Sequence, residues 1–136
     1  MFEGPSQRAS RPRHRPRRLL VPAIFSLSLI LPAALQAAEL LMFEEPGCPW
    51  CAAWQAEIGV VYDKTAEGRQ APLRRVDMTL PRPADLEAVD PVVFSPTFVL
   101  FAEGIEVGRI VGYPGEHFFW PLLGELLARL DRGPEG

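Results

Sequence analysis

Cys48, Pro49, Trp50 and Cys51 are the residues of this chain best suited to chemistry, and the two cysteines are its only ones. An apolar run, Leu40 to Phe43, leads into them and a helix-like stretch follows. A thiol pair so close together cannot staple distant parts of a fold. At the start of a helix it can open and close a Cys48–Cys51 disulfide. The charged sulfur is the nucleophile, and a free cysteine titrates at about pH 8.5. Free N–H groups and the dipole at a helix start favour negative sulfur, drawing the pKa to between about 3.5 and 7.5. Cys48, just outside the first turn, is therefore the attacking sulfur, and Cys51, one turn below, resolves the mixed disulfide. Pro49 suits the first helical position, where a missing N–H costs nothing, and it stiffens the turn. Trp50 reads either as a flat surface offered to a partner beside Cys48 or as a ring folded back onto the protein.

Competing uses of the thiols are fewer. Zinc wants four ligands, and two cysteines with His117 fall short; His14 lies far upstream among arginines. Copper(I) accepts two thiolates, which leaves a carrier of copper or another thiophilic metal as one alternative. A redox-dependent regulatory adaptor is another. The dithiol itself calls for no cofactor.

The elements that must position these residues follow from pattern. Residues 39–44 read as a short buried strand, broken by Pro46-Gly47. A helix starts at the dithiol, with Cys51, Trp54, Ile58 and Val61 on one apolar stripe, so that Cys51 faces inward and Cys48 outward. Residues 73–78 read as a second strand. Pro81-Arg82-Pro83 is a break, residues 84–89 a short helix, and Asp90-Pro91 its end. Residues 97–102, rich in β-branched and aromatic side chains, are the clearest strand. Glu103-Gly104 marks a turn into a hairpin partner at 106–111, and residues 112–115 form a loop. The last helix is expected over 118–130, with Phe119, Leu122, Leu123, Leu126, Leu127 and Leu130 inward. Pro121 requires that helix to start near Trp120 or to kink. Trp54 and Trp120 are expected in the core, and the tail from about 131 is expected to fray. The order gives an α/β fold: a βαβ half with a parallel pair, closed by an antiparallel hairpin.

Charge divides the chain of 136 residues in two. Residues 1–37 hold six arginines against one acid, and residues 38–136 hold eight Lys/Arg against sixteen acids. Arg8, Arg11, Arg13, Arg15, Arg17 and Arg18, an apolar stretch over 19–35 and small residues at Ala37 and Ala38 have the layout of an export signal. Cleavage is expected near Ala37 or Ala38. The alternative is an uncleaved anchor, since residues 19–38 are about long enough to span a bilayer. The Arg17-Arg18 pair leaves the export route open. Export leads to an oxidising compartment, where disulfides persist. The acidic body argues against nucleic acid as a partner, because phosphate binding needs a basic face. Its size supports one domain, residues 38–136, and a monomer is expected.

Cys48-Pro49-Trp50-Cys51 after a strand, with Ser95-Pro96-Thr97-Phe98 before another, resembles the thioredoxin superfamily, over residues 39–130. The resemblance implies a thioredoxin-like fold, a mixed central sheet flanked by helices in βαβ(α)ββα order. It also implies a cis-proline at Pro96 packed beside the dithiol, the alternative being a trans proline that merely ends a loop. The Ser95 backbone could then pair with an extended segment of a substrate, and its hydroxyl is a candidate hydrogen-bonding partner of the thiolate. Pro96-Thr97-Phe98-Val99-Leu100-Phe101 and Gly108-Arg109-Ile110-Val111-Gly112-Tyr113-Pro114-Gly115, followed by Phe119-Trp120, resemble SoxS-type periplasmic thioredoxin-like proteins of sulfur-oxidising bacteria. That likeness implies a periplasmic reductant of protein disulfides or reactive thiols, serving sulfur oxidation and fed by a membrane thiol relay. The dithiol is also similar to the glutaredoxin type. One departure stands out: cytosolic thioredoxins carry a buried aspartate six residues before the first cysteine, and here that position is Met42. Glu44 and Glu45 are candidate substitutes, and the proton acceptor for Cys51 stays open.

Overall fold

The computed structural model describes residues 1, 2, 4 and 38–132. The expected export signal, those three positions apart, and residues 133–136 of the expected tail lie outside the described residues. Asp131 and Arg132 are the last residues of a helix.

Two strands with unbroken apolar runs, Leu40–Phe43 and Phe98–Ala102, form the middle of a four-stranded sheet of order β2-β1-β3-β4. They are β1 (Glu39–Glu44) and β3 (Thr97–Ala102), paired antiparallel. On one flank β2 (Leu73–Asp77) runs parallel to β1; on the other β4 (Ile105–Val111) runs antiparallel to β3. Central strands covered on both faces need no polar side, which explains their unbroken hydrophobicity. Alternation along each strand still sorts the side chains. Leu40, Met42, Phe98, Leu100, Ala102 and Ile110 enter one hydrophobic layer; Leu41, Phe43, Val76, Val99 and Phe101 enter the other. The result is a mixed sheet flanked by helices.

The first layer is closed by two helical segments. Helix α1 (Pro49–Trp54) runs through a π-helical turn (Gln55–Gly59) into α2 (Val60–Tyr62). The wide turn accommodates an extra residue. The inward position after Ile58 therefore falls on Tyr62, fully buried, and the expected Val61 is exposed. Tyr62 donates its hydroxyl to the Ala71 carbonyl at 2.8 Å and stacks on Trp120 with ring centroids 6.2 Å apart.

Helix α4 (Glu116–Arg132) begins two residues earlier than its pattern predicts and buries Phe119, Leu123, Leu126 and Leu127. Leu122, expected inward, lies on the exposed side, and Leu130 is half-buried. Pro121 sits within the helix on its exposed face, where the His117 carbonyl that loses its N–H partner can turn to water. The helix approaches β4 so closely that a Cβ on Gly108 would meet Leu126 Cδ2 at 2.7 Å.

Short α3 (Ala66–Gln70) has no counterpart in the sequence expectations. Thr65 caps it, accepting the Gly68 N–H at 2.9 Å. The second layer gets far less regular cover. The helix expected over 84–89 is a single 3-10 turn, Ala84–Leu86, because the seven residues between Pro83 and Pro91 are too few to sustain a helix. Leu86 and Val89 nonetheless fill that layer. The hairpin turn has both Glu103 (φ 52°) and Gly104 (φ 78°) in the left-handed region, the combination that follows strand twist in a two-residue loop.

Candidate active site

The dithiol stands where β1 gives way to α1. Gly47, at φ 77°, turns the chain after the strand. Cys48 is the N-cap of α1, extended at φ −67° and ψ 113°, and Pro49 takes the first helical position with its ring exposed. Cys48 and Cys51 are joined as a disulfide, their Cα atoms 5.3 Å apart. Cys48 is half-buried, whereas Cys51 is only 5% exposed. The Cys51 N–H donates to Cys48 Sγ at 3.1 Å, so one of the orphan donors of the helix start is aimed at the outer sulfur. Trp50 is 62% exposed; its ring stands off the protein rather than folding back. Trp54, one turn deeper, is fully enclosed by Phe98, Phe119 and Tyr62.

Ser95 and Pro96 lie against the inner side of this pair. The peptide between them is cis, and Pro96 is buried. The Ser95 hydroxyl accepts the Glu45 N–H at 3.0 Å and sits 3.3 Å from Cys51 Sγ. A disulfide sulfur carries no proton, so in this contact the hydroxyl is the donor. The Pro96 carbonyl accepts the Gly112 N–H at 2.7 Å, tying in the next loop. That loop is tied again by Tyr113, whose hydroxyl bonds the Glu57 carboxylate on the π-helical turn. Burial first, and Glu57 second, push the Tyr113 phenol above its ordinary range.

No carboxylate occupies the inner position held by aspartate in cytosolic thioredoxins. Met42 is there, fully buried, between Arg75 on β2 and Phe98 on β3. Of the two candidate substitutes, Glu44 binds Arg75 at 2.8 Å. Glu45 is exposed, and its backbone rather than its carboxylate reaches the site. Both line an open cleft of about 510 Å³ that also reaches Cys48, Cys51, Arg75 and Asp77. Arg75 crosses this cleft to bond Gln55 and lies 6.0 Å from the centroid of the Trp54 ring. Two hydrogen bonds from Thr79 hold the Asp77 carboxyl below its ordinary range.

The folded chain thus brings together all six residues singled out in sequence. Pattern reading missed Arg75, Glu57, Tyr113 and the Glu45 backbone, because nothing in their types or spacing marks them. His117 is exposed on the first turn of α4. Chemically, the arrangement offers one accessible sulfur fed by a backbone donor and one enclosed sulfur fed by a hydroxyl.

Neither a protein-family model nor a curated protein sequence matches the chain. Among solved structures, the periplasmic thioredoxin SoxS from Paracoccus pantotrophus, in its reduced form, is 54% identical. That match spans 68% of this chain and 98% of the other, at a TM-score of 0.66. Fasciola hepatica thioredoxin is 21% identical over 66% of this chain and 81% of its own, at a TM-score of 0.51. Malassezia sympodialis thioredoxin is 20% identical over 66% and 75%, at a TM-score of 0.50. The last two bear on the fold alone.

Proposed function

Since the chain belongs to the thioredoxin superfamily as a SoxS-like thiol–disulfide oxidoreductase, we propose that it reduces protein disulfides outside the cytoplasm, in the service of a sulfur-oxidising system. The observation that carries this reading is the unequal setting of the two sulfurs, Cys48 accessible at a helix start and Cys51 enclosed behind it. Reduced Cys48, as thiolate, attacks one sulfur of a client disulfide. The other client sulfur leaves with the electron pair and takes a proton from water. Cys51 then gives up its proton and attacks Cys48 Sγ. The Cys48–client bond breaks, its electron pair staying on the client sulfur. That sulfur takes up the equivalent of the proton released by Cys51, so the client has gained two electrons and, with the one drawn from water, two protons, and the Cys48–Cys51 disulfide remains.

The supporting residues fit this sequence. Pro49 fixes the turn that presents Cys48. Trp50 offers flat apolar area to the client. Among the described residues, the backbone N–H and carbonyl of Ser95 have no backbone partner, which leaves them to an extended client segment. Residues 1–37 serve as the export signal. The relative at 54% identity is a periplasmic protein, which favours the same compartment here. A reductant working there draws electrons from a membrane thiol relay, and the domain acts as a monomer.

Cys48→Ser is expected to abolish reduction of a protein disulfide. Cys51→Ser, produced in a sulfur-oxidising bacterium, is expected to trap clients bound through Cys48, among them a component of the sulfur-oxidising machinery. Full turnover by Cys48→Ser refutes the mechanism; a trap that holds only unrelated proteins refutes the sulfur-oxidation role. The equilibrium potential of the couple should fall near the reducing limit of the family, about −270 mV, and a value near about −120 mV excludes a reductant.

A further inference from the structure

The two sulfurs of the dithiol are served by different donors. Cys48 Sγ receives the Cys51 backbone N–H at 3.1 Å, and Cys51 Sγ faces the Ser95 hydroxyl at 3.3 Å. The hydroxyl is held in place from behind, because it accepts the Glu45 N–H at 3.0 Å. That bond occupies an oxygen lone pair and leaves the hydroxyl proton for the sulfur. Met42, buried in the same layer as Cys51, offers no ionisable group. We propose that Ser95 is a catalytic hydrogen-bond donor to Cys51, holding negative charge on that sulfur each time it attacks or leaves.

The chemistry follows from the exchange cycle. When an electron donor's thiolate attacks Cys48, the Cys48–Cys51 bond breaks and its electron pair moves to Cys51 Sγ. This sulfur is enclosed, so water cannot fully solvate the new charge. The Ser95 hydroxyl meets it with a charge-assisted bond that costs no rearrangement, since the proton already points there. In the opposite half of the cycle Cys51 must lose its proton before attacking Cys48 Sγ. The proton passes to water through the cleft that Cys51 lines, and the hydroxyl stabilises the thiolate left behind. Ser95 is not the base; it lowers the cost of the deprotonated state. The other ionisable groups around that cleft are Cys48, Glu44, Glu45, Arg75 and Asp77. Glu44 and Arg75 are spent on each other, and Asp77 on Thr79.

This role rests on thiol–disulfide exchange alone, so its test needs neither the native client nor the native compartment. Ser95→Ala and Ser95→Thr are compared with the unchanged protein. Cys48 and Cys51 are titrated separately in the reduced form through their ¹³Cβ shifts. Thiol release from a chromogenic aromatic disulfide is followed by stopped flow. In Ser95→Ala the Cys51 titration is expected to move up by about one unit or more, with Cys48 shifted less. Release of the first aromatic thiol stays within about twofold, while release of the second, which reports attack by Cys51, slows about tenfold. Ser95→Thr, which keeps the hydroxyl, restores both. Unchanged titration and release in Ser95→Ala overturn the proposal. So does a defect that Ser95→Thr fails to mend, because it would point to packing rather than to the hydroxyl. If the couple instead proves an oxidant in vivo, the in vitro shifts at Cys51 still stand or fall by themselves.

Discussion

Single side chains divide here into those that sequence types reveal and those that only contacts reveal. The cysteines, Pro49 and Trp50 announce themselves through their spacing, and Ser95-Pro96 through the family resemblance that they carry together with the dithiol. The Ser95 hydroxyl is a candidate partner of the thiolate by resemblance, but that it meets Cys51 is not legible, because the contact depends on a separation of 44 residues being closed by the sheet. Trp54 shows what one buried ring contributes. It is fully enclosed by three other aromatics, and its indole Nε1 has no hydrogen-bond partner among the described residues. Trp54→Ala is expected to cost about 3–5 kcal/mol of stability in urea unfolding. Trp54→Phe should cost less than about 2 kcal/mol. The lost ring area is partly offset by removal of a buried, unbonded N–H, itself worth about 1–3 kcal/mol.

The elements were legible in proportion to their hydrophobic pattern. The strands 97–102 and β1 match their patterns to the residue, since an apolar run between breakers has few other structures open to it. The apolar stripe of α1 failed at one point, Val61 for Tyr62, because a 3.6-residue period cannot anticipate the π-helical turn. Helix α3 stayed invisible for another reason: five residues carry no amphipathic stripe, and its stability comes from Thr65 and from packing. Gly68 in that helix is packed directly against the Tyr62 carbonyl. Gly68→Ala would gain helix propensity of about 1 kcal/mol. The new methyl would also strike backbone that cannot step aside, so a net loss of about 2 kcal/mol or more is expected in thermal or urea unfolding. Stabilisation by this substitution would show that α3 is free to shift.

Across the whole molecule, two hydrophobic layers share one sheet but are closed by unlike means. Helices seal the layer that holds the cysteines, and its burial pushes the Tyr62 phenol above its ordinary range, with Glu67 and Asp63 adding to the effect. A phenol raised in the folded state keeps its proton there while the unfolded chain releases it. The stability it contributes is intact below about pH 10 and is lost as pH rises through the folded value. Urea midpoints should therefore fall steeply above about pH 10, and Tyr62→Phe should flatten that slope. A midpoint that stays level up to about pH 11.5 contradicts this placement of Tyr62. The opposite layer is closed by the irregular stretch from Met78 to Phe94, which has no strand ladder of its own. Leu86 and Val89 pin it from within. Arg74 grips Asp85 at 2.6 Å, and Arg109 holds the Asp90 and Pro91 carbonyls at 3.2 Å. That same stretch hands over directly to Ser95, so the redox centre borrows its stiffness from the far side of the sheet. Wear on those distant rivets would be felt first as slack between a hydroxyl and a sulfur.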